Sequence, residues 1–169
     1  MQQFSWKSAT LMTIASMTTG LIIQACGSDV NAVAQTPPTT AQSDAIQGLW
    51  QSTVTLRNCA SGATLASFRG LTLFNQGGTA NADSNQPSTT KGAALGIWKR
   101  NADGSYAASF RFWRYNADAT PAGSQRLTRA IALAADGNSL TSTISSQTLD
   151  NTDNVLQSAC GTETAVRVS

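Results

Sequence analysis

Few side chains in this chain can do chemistry, and their spacing excludes most of it. Histidine is absent, which removes Ser-His-Asp and Cys-His catalysis, imidazole-ligated zinc and imidazole pH switching. Cys26, Cys59 and Cys160 stand far apart, so there is no CxxC redox or zinc pair. Glu163 is the only glutamate, which rules out a paired-glutamate site. Asp103, Asp136, Asp150 and Asp153 fall in turn-like sequence, where aspartate caps the turn backbone. Asp103-Gly104 and Asp136-Gly137 lack the alternating oxygen ligands of a calcium loop. Serines and threonines abound, yet no G-x-S-x-G stands among them. The expectation is a protein with no catalytic constellation, no metal and no cofactor.

Two arginines offer binding chemistry instead. Across Ser105 to Tyr115, alternation puts Tyr106, Phe110 and Phe112 on one face, with Arg114 continuing it towards a rim. Arg129 shares a face with Leu127, Ile131 and Leu133. An arginine projecting into an apolar interior needs an anionic partner, because an unpaired buried charge is very costly. One expectation is therefore a pocket for an acidic amphiphile whose headgroup meets Arg114 and Arg129. The other is a filled interior from which both arginines snorkel to solvent. Arg111, Trp113 and Tyr115, on the opposite face, suit a contact patch for another protein, since these residue types are enriched at interface hot spots. Charged residues make up only 12% of the chain and the formal net charge is +2. The basic residues are scattered, so the concentrated basic face that nucleic-acid binding needs is missing.

The elements that position these residues begin with an export signal. Lys7 supplies a positive start, and Ala9 to Ile23 is uncharged and moderately apolar. At about 15 residues it falls short of the roughly 20 that span a bilayer. It ends in Ile23-Gln24-Ala25-Cys26-Gly27, which resembles the lipobox of bacterial lipoproteins. The resemblance implies cleavage before Cys26, acylation of its sulfur and a lipid anchor in the membrane. Gly27 is not the aspartate that signals inner-membrane retention, so the cell outer membrane is the expected address. With Cys26 acylated, Cys59 and Cys160 remain as an even pair in an oxidising compartment, where a disulfide is expected. The chain-entropy model gives roughly 4 to 5 kcal/mol for a loop of about 100 residues, as an upper guide. Residues 26–45 are polar and broken by Pro37-Pro38, and read as a flexible tether spanning roughly 25 Å.

Residues 46–169 read as an all-β domain. Alternating runs are expected at Leu49–Arg57, Phe68–Asn75, Thr79–Asp83, Ala94–Arg100, Ser105–Tyr115, Arg126–Ala134, Ser139–Leu149 and, after a last turn at Asp150–Asn154, on to Val168. Gln76-Gly77-Gly78, Asn101-Ala102-Asp103-Gly104 and Ala135-Asp136-Gly137-Asn138 punctuate them as hairpin turns. About eight strands in sequential order suit an up-and-down antiparallel barrel, because closure removes exposed sheet edges.

Gly48-Leu49-Trp50 heads the first strand and resembles the G-x-W motif of lipocalins and wider calycin barrels. The resemblance implies that Trp50 plugs the closed end and that a late arginine, here Arg167, packs across its ring. It also implies a small apolar or amphiphilic ligand within the barrel. Allene oxide cyclase-like barrels share the architecture, although no residue motif here supports their isomerase activity. A hollow barrel with more than about 300 Å³ of space would favour ligand binding. A filled barrel with an exposed aromatic patch would favour a structural lipoprotein docking another envelope protein.

Overall fold

The computed structural model describes residues 44–169. The leader, Cys26 and most of the expected tether lie outside the described residues. Successive side chains on extended backbone point to opposite faces, so each alternating run becomes a strand with one apolar side. The strands are β1 (Gly48–Arg57), β2 (Thr64–Phe74), β3 (Thr79–Ser84), β4 (Ala94–Arg100), β5 (Tyr106–Tyr115), β6 (Pro121–Leu133), β7 (Ser139–Leu149) and β8 (Val155–Arg167). Each pairs antiparallel with the next, and β8 returns to β1 to close an eight-stranded up-and-down barrel. The closing ladder sets Trp50 opposite Arg167 and Arg57 opposite Cys160. The architecture is that of lipocalin-like barrels, with a partner on both sides of every strand.

The hairpin turns form where their residues demand them. Gly77 and Gly78 take φ of 85° and 86°, the paired left-handed conformation of a tight turn that only glycine adopts freely. In the β4–β5 and β6–β7 hairpins the aspartate accepts from backbone two residues on: Ser105 N donates to Asp103 Oδ1 at 3.0 Å and Asn138 N to Asp136 Oδ1 at 2.9 Å. Asp150 does the same for Thr152 N at 2.8 Å and also accepts from Asn154.

Two strands start earlier than the alternation predicts. β2 begins at Thr64 rather than Phe68, and β6 at Pro121 rather than Arg126. The added residues carry loop-like composition, Thr-Leu-Ala-Ser and Pro-Ala-Gly-Ser-Gln, with no apolar period to betray them. Backbone pairing holds them extended: Ala66 lies opposite Leu56, Pro121 opposite Tyr115 and Ser124 opposite Leu149.

The interior divides along the barrel axis. At the end carrying the β2–β3, β4–β5 and β6–β7 turns, Ile46, Trp50, Phe74, Tyr106 and Leu140 are buried together. At the other end, Leu56, Phe68 and Phe112 pack against this core but stay half-buried. Cys59 and Cys160 form a disulfide there, with Cα atoms 5.0 Å apart, tying the β1–β2 turn to β8.

Candidate functional site

The closed end is sealed by residues 44–47, which lead into β1. Trp50 is 1% exposed, and its indole Nε1 donates to the Ile46 carbonyl at 2.8 Å. The Arg167 guanidinium lies over the Trp50 ring, 4.4 Å from its centroid. Its three nitrogens donate to backbone carbonyls: Nη1 to Gln47 at 2.6 Å, Nη2 to Ala45 at 2.5 Å and Nε to Gly137 at 3.0 Å. One planar cation thus binds the entering chain, the β6–β7 turn and the tryptophan face, a geometry that suits arginine better than lysine. Tyr106 adds a further lock, its hydroxyl donating to the Asp44 carboxylate. Burial, followed by the Asp44 hydrogen bond and charge, pushes the Tyr106 pKa above its ordinary value.

The middle layer holds the chain's only glutamate. Arg129 and Glu163 face each other inside the barrel, their side chains 9% and 2% exposed. Arg129 Nη1 donates to Glu163 Oε1 at 3.0 Å and Oε2 at 3.2 Å, and to Thr72 Oγ1 at 3.1 Å. Ser142 Oγ donates to Glu163 Oε2 at 2.6 Å. The guanidinium also lies over the Phe110 ring, 4.7 Å from its centroid. Burial draws the Arg129 pKa below its ordinary value, and the Glu163 charge opposes the shift. Arg129 does not snorkel to solvent, and the anionic partner that its burial requires is supplied by Glu163 of β8 across the barrel. The signal was present in the sequence: Glu163 sits at an inward position of its strand, between Gly161 and Ala165.

Above this pair lies a cavity of about 160 Å³. Leu56, Phe68, Phe112, Leu127 and Ile144 form its apolar walls, and Arg129 belongs to its lining. Lys91 and Asp83, joined as an ion pair, stand on the side nearest the β3–β4 loop. The volume is well below the 300 Å³ expected of a roomy ligand barrel. It is close to that of an engineered apolar cavity known to admit benzene. Five expected ligand residues therefore separate into three groups. Phe110, Phe112 and Arg129 line the cavity. Arg114 stops near the rim, where it donates to the Ala122 carbonyl at 3.4 Å and its backbone bridges to Lys91. Tyr106 lines none of the cavity and belongs to the closed end, because β5 runs from one end of the barrel to the other. Leu56 shares a sequence face with Trp50 and Val54 and reaches this lining with Val54, whereas Phe68 and Ile144 carry no comparable signal in the sequence.

One nucleophile spacing also escapes the motif reading. Ser88-Thr89-Thr90-Lys91 has the S-x-x-K interval, but it forms a 3-10 turn rather than a long helix. Ser88 is exposed, and the Lys91 ammonium is held by Asp83, whose pKa is lowered chiefly by that hydrogen bond. No hydrogen bond joins Ser88 to Lys91 among the described residues, so the pair is not arranged as a nucleophile and base.

On the outer face, Trp113 is 61% exposed. Arg111 stacks beside it, 5.7 Å from the ring centroid, and also pairs with Asp153. Tyr115 is half-buried at the strand end. Among the described residues no group of three Cys, Asp or Glu side chains gathers to hold a metal. No protein-family model matches the chain, and no curated protein sequence matches it.

Proposed function

We propose that this protein is a lipid-anchored envelope lipoprotein whose barrel binds a small apolar or amphiphilic molecule at its open end. The role is binding rather than catalysis. The lipobox-like sequence at Cys26 supports the anchor, and Gly27 after it supports the outer membrane. The single observation that carries the binding role is the cavity of about 160 Å³, walled by aromatic and aliphatic side chains and lined also by Arg129, which is itself paired with Glu163. Its size suits a ligand near that of one aromatic ring, far smaller than a long acyl chain.

The test is native mass spectrometry of the exported protein, beside an Ala82→Phe variant. Ala82 lines the cavity, so the added ring occupies it. An adduct on the native protein that disappears on denaturation, and is missing from the variant, supports binding. An equal adduct on both, or bare protein in both, counts against it. Incorporation of labelled palmitate that Cys26→Ser abolishes would support the anchor.

A docking role for the outer face is a second reading. It is favoured by Leu95, Ile97 and Trp113, exposed at 62%, 64% and 61% on neighbouring strands β4 and β5. Loss of co-purifying envelope protein in Trp113→Ala, with Ala82→Phe behaving as native, would favour it.

A further inference from the structure

Resting on the lipid anchor just proposed, we infer that the barrel docks on the bilayer surface through an apolar band on its outer face near the closed end. The mouth of the open-end cavity is then turned to the aqueous side.

The outer surface of the barrel is divided. Around β6, β7 and β8 the outward positions are hydroxylic, and Thr128, Thr141, Thr143, Ser145, Thr162 and Thr164 are all exposed. The other side differs. Val168 donates its backbone N–H to the Leu49 carbonyl at 2.9 Å. Leu49 lies opposite Leu73, Leu73 opposite Asn81, and Asn81 opposite Leu95. One row thus runs from the end of β8 through β1, β2 and β3 to β4, and only Asn81 interrupts its apolar side chains. Val166 and Ile97 extend it along β8 and β4. All six apolar members are exposed, and Ile97 is the most exposed large apolar side chain among the described residues. The core already has its own inward-facing set, so these side chains add nothing to it. A contiguous exposed patch of this kind marks a surface that meets something apolar.

Position, shape and charge assign the band to a lipid surface. The described chain begins at Asp44 and enters β1 just before Leu49, so the segment leading from Cys26 arrives beside the band. Residues 26–45, read as a tether, would span roughly 25 Å. An anchor within that reach makes docking intramolecular, so apolar side chains too few to hold a bilayer alone act at high effective concentration. The row is also convex, because it follows neighbouring strands of a closed barrel. A flat rigid partner would touch only part of it. The headgroup region yields instead, and takes in apolar side chains to a depth of roughly 5–10 Å. Lys99 continues the outward face of β4 past Ile97 towards the closed rim and is exposed. Its ammonium can meet lipid phosphates while its stem covers apolar surface. The strands of the band present one outward carboxylate, Asp83 on β3, and it is paired with Lys91. At the rim, Asp103 and Asp136 are held by their own turns.

The experiment uses the full mature chain, acylated at Cys26, in nanodiscs whose lipids carry a nitroxide on the acyl chain. Leu65, Val155 and Leu156 serve as the internal reference, being exposed apolar residues at the open end. The methyl resonances of Leu73, Ile97 and Val168 should broaden about tenfold or more beyond that reference, as insertion by roughly 5–10 Å at one end implies. A Leu73→Glu, Ile97→Glu variant should lose the selective broadening and keep its urea midpoint, because exposed substitutions perturb stability little. Val155→Glu with Leu156→Glu should retain the native pattern. The native pattern decides by itself where the first variant folds poorly. Equal broadening at both ends overturns the inference, since the barrel then only hangs on its tether. Stronger broadening at the open end overturns it by facing the cavity to the bilayer, and so does selective broadening that survives in Leu73→Glu, Ile97→Glu. Band resonances that ignore the nitroxide overturn it too: a shift with a second chain per disc would give the band to another copy, and no shift would leave Leu95 and Ile97 to a protein partner. Each of these failures leaves the anchor standing. A chain that the discs do not retain removes the anchor, and this inference with it.

Discussion

At the end of the barrel where the chain enters, Trp50, Ile46 and Tyr106 are fully enclosed, and their polar atoms are satisfied by backbone carbonyls or by Asp44. At the opposite end Leu56, Phe68 and Phe112 are only half-buried around a cavity. Both ends are built from the same inward-facing alternation, so apolar patterning alone does not separate them. The difference lies in what covers each mouth. Residues 44–47 fold under the closed end, and Arg167 fastens them to the tryptophan ring and to the β6–β7 turn. The open end has a disulfide at its edge and an ion-paired loop, but among the described residues no plug of comparable size. A barrel of eight strands has just enough interior for its own side chains. Withholding one large residue from one mouth is therefore enough to leave room for a small ligand.

Breaking the closed end should have the largest effect. Trp50→Ala removes a fully buried ring and the surface on which Arg167 rests, and should destabilise by about 3–5 kcal/mol in urea unfolding. Removing the open-end staple comes next. Cys59→Ser with Cys160→Ser frees a loop with a sequence separation of 101, and should cost roughly 2–4 kcal/mol without changing far-ultraviolet circular dichroism at low denaturant. Phe112→Ala, at the open end, should lose only about 1–2 kcal/mol, because the ring is half-exposed and its removal enlarges an existing cavity. If it costs as much as Trp50→Ala, the contrast between the two ends is wrong.

Titration sharpens the same comparison with smaller effects of opposite sense. Asp150, in the open-end turn between β7 and β8, has its pKa lowered from 3.8 to about 2, chiefly by hydrogen bonds from Asn154 and Thr152. Its contribution is present above pH 3.8 and is lost as the pH falls through about 2. Amide exchange in this turn should therefore accelerate on acidification before the closed end loosens, and Asp150→Asn should flatten that response. Tyr106 behaves oppositely, since its pKa is raised by burial and then by Asp44. Its contribution is present below its ordinary pKa of about 10 and fades as the pH rises through the higher folded value. Alkaline loosening should begin at the closed end, and Tyr106→Phe should remove it.

Much of the fold could be read from single residues. Turn residues such as Gly77-Gly78 and Asp103-Gly104 mark backbone conformations that few other residues adopt, so the hairpins and the strand count follow locally. The faces of β5 follow from its period of two. The starts of β2 and β6 did not, because Thr64–Ser67 and Pro121–Ser124 are extended by their neighbours rather than by any pattern of their own. The site was less accessible. Phe110, Phe112 and Arg129 were readable as inward-facing, but Leu56 and Phe68 reach the same cavity only because distant strands are brought together by closure.

What the sequence determined by itself is therefore local: which side chains face inward, where the chain turns, and that Cys59 and Cys160 belong together near the first and last strands. The tertiary structure alone decided that Arg129 meets Glu163 and that Tyr106 belongs to the plug rather than to the cavity. It also decided that the open space is about 160 Å³ rather than a roomy hollow. The physical reason is that alternation specifies the face of a strand but not its height in the barrel. Height depends on the stagger accumulated over eight ladders, and the space left over depends on the summed volumes of side chains that meet only once the barrel has closed.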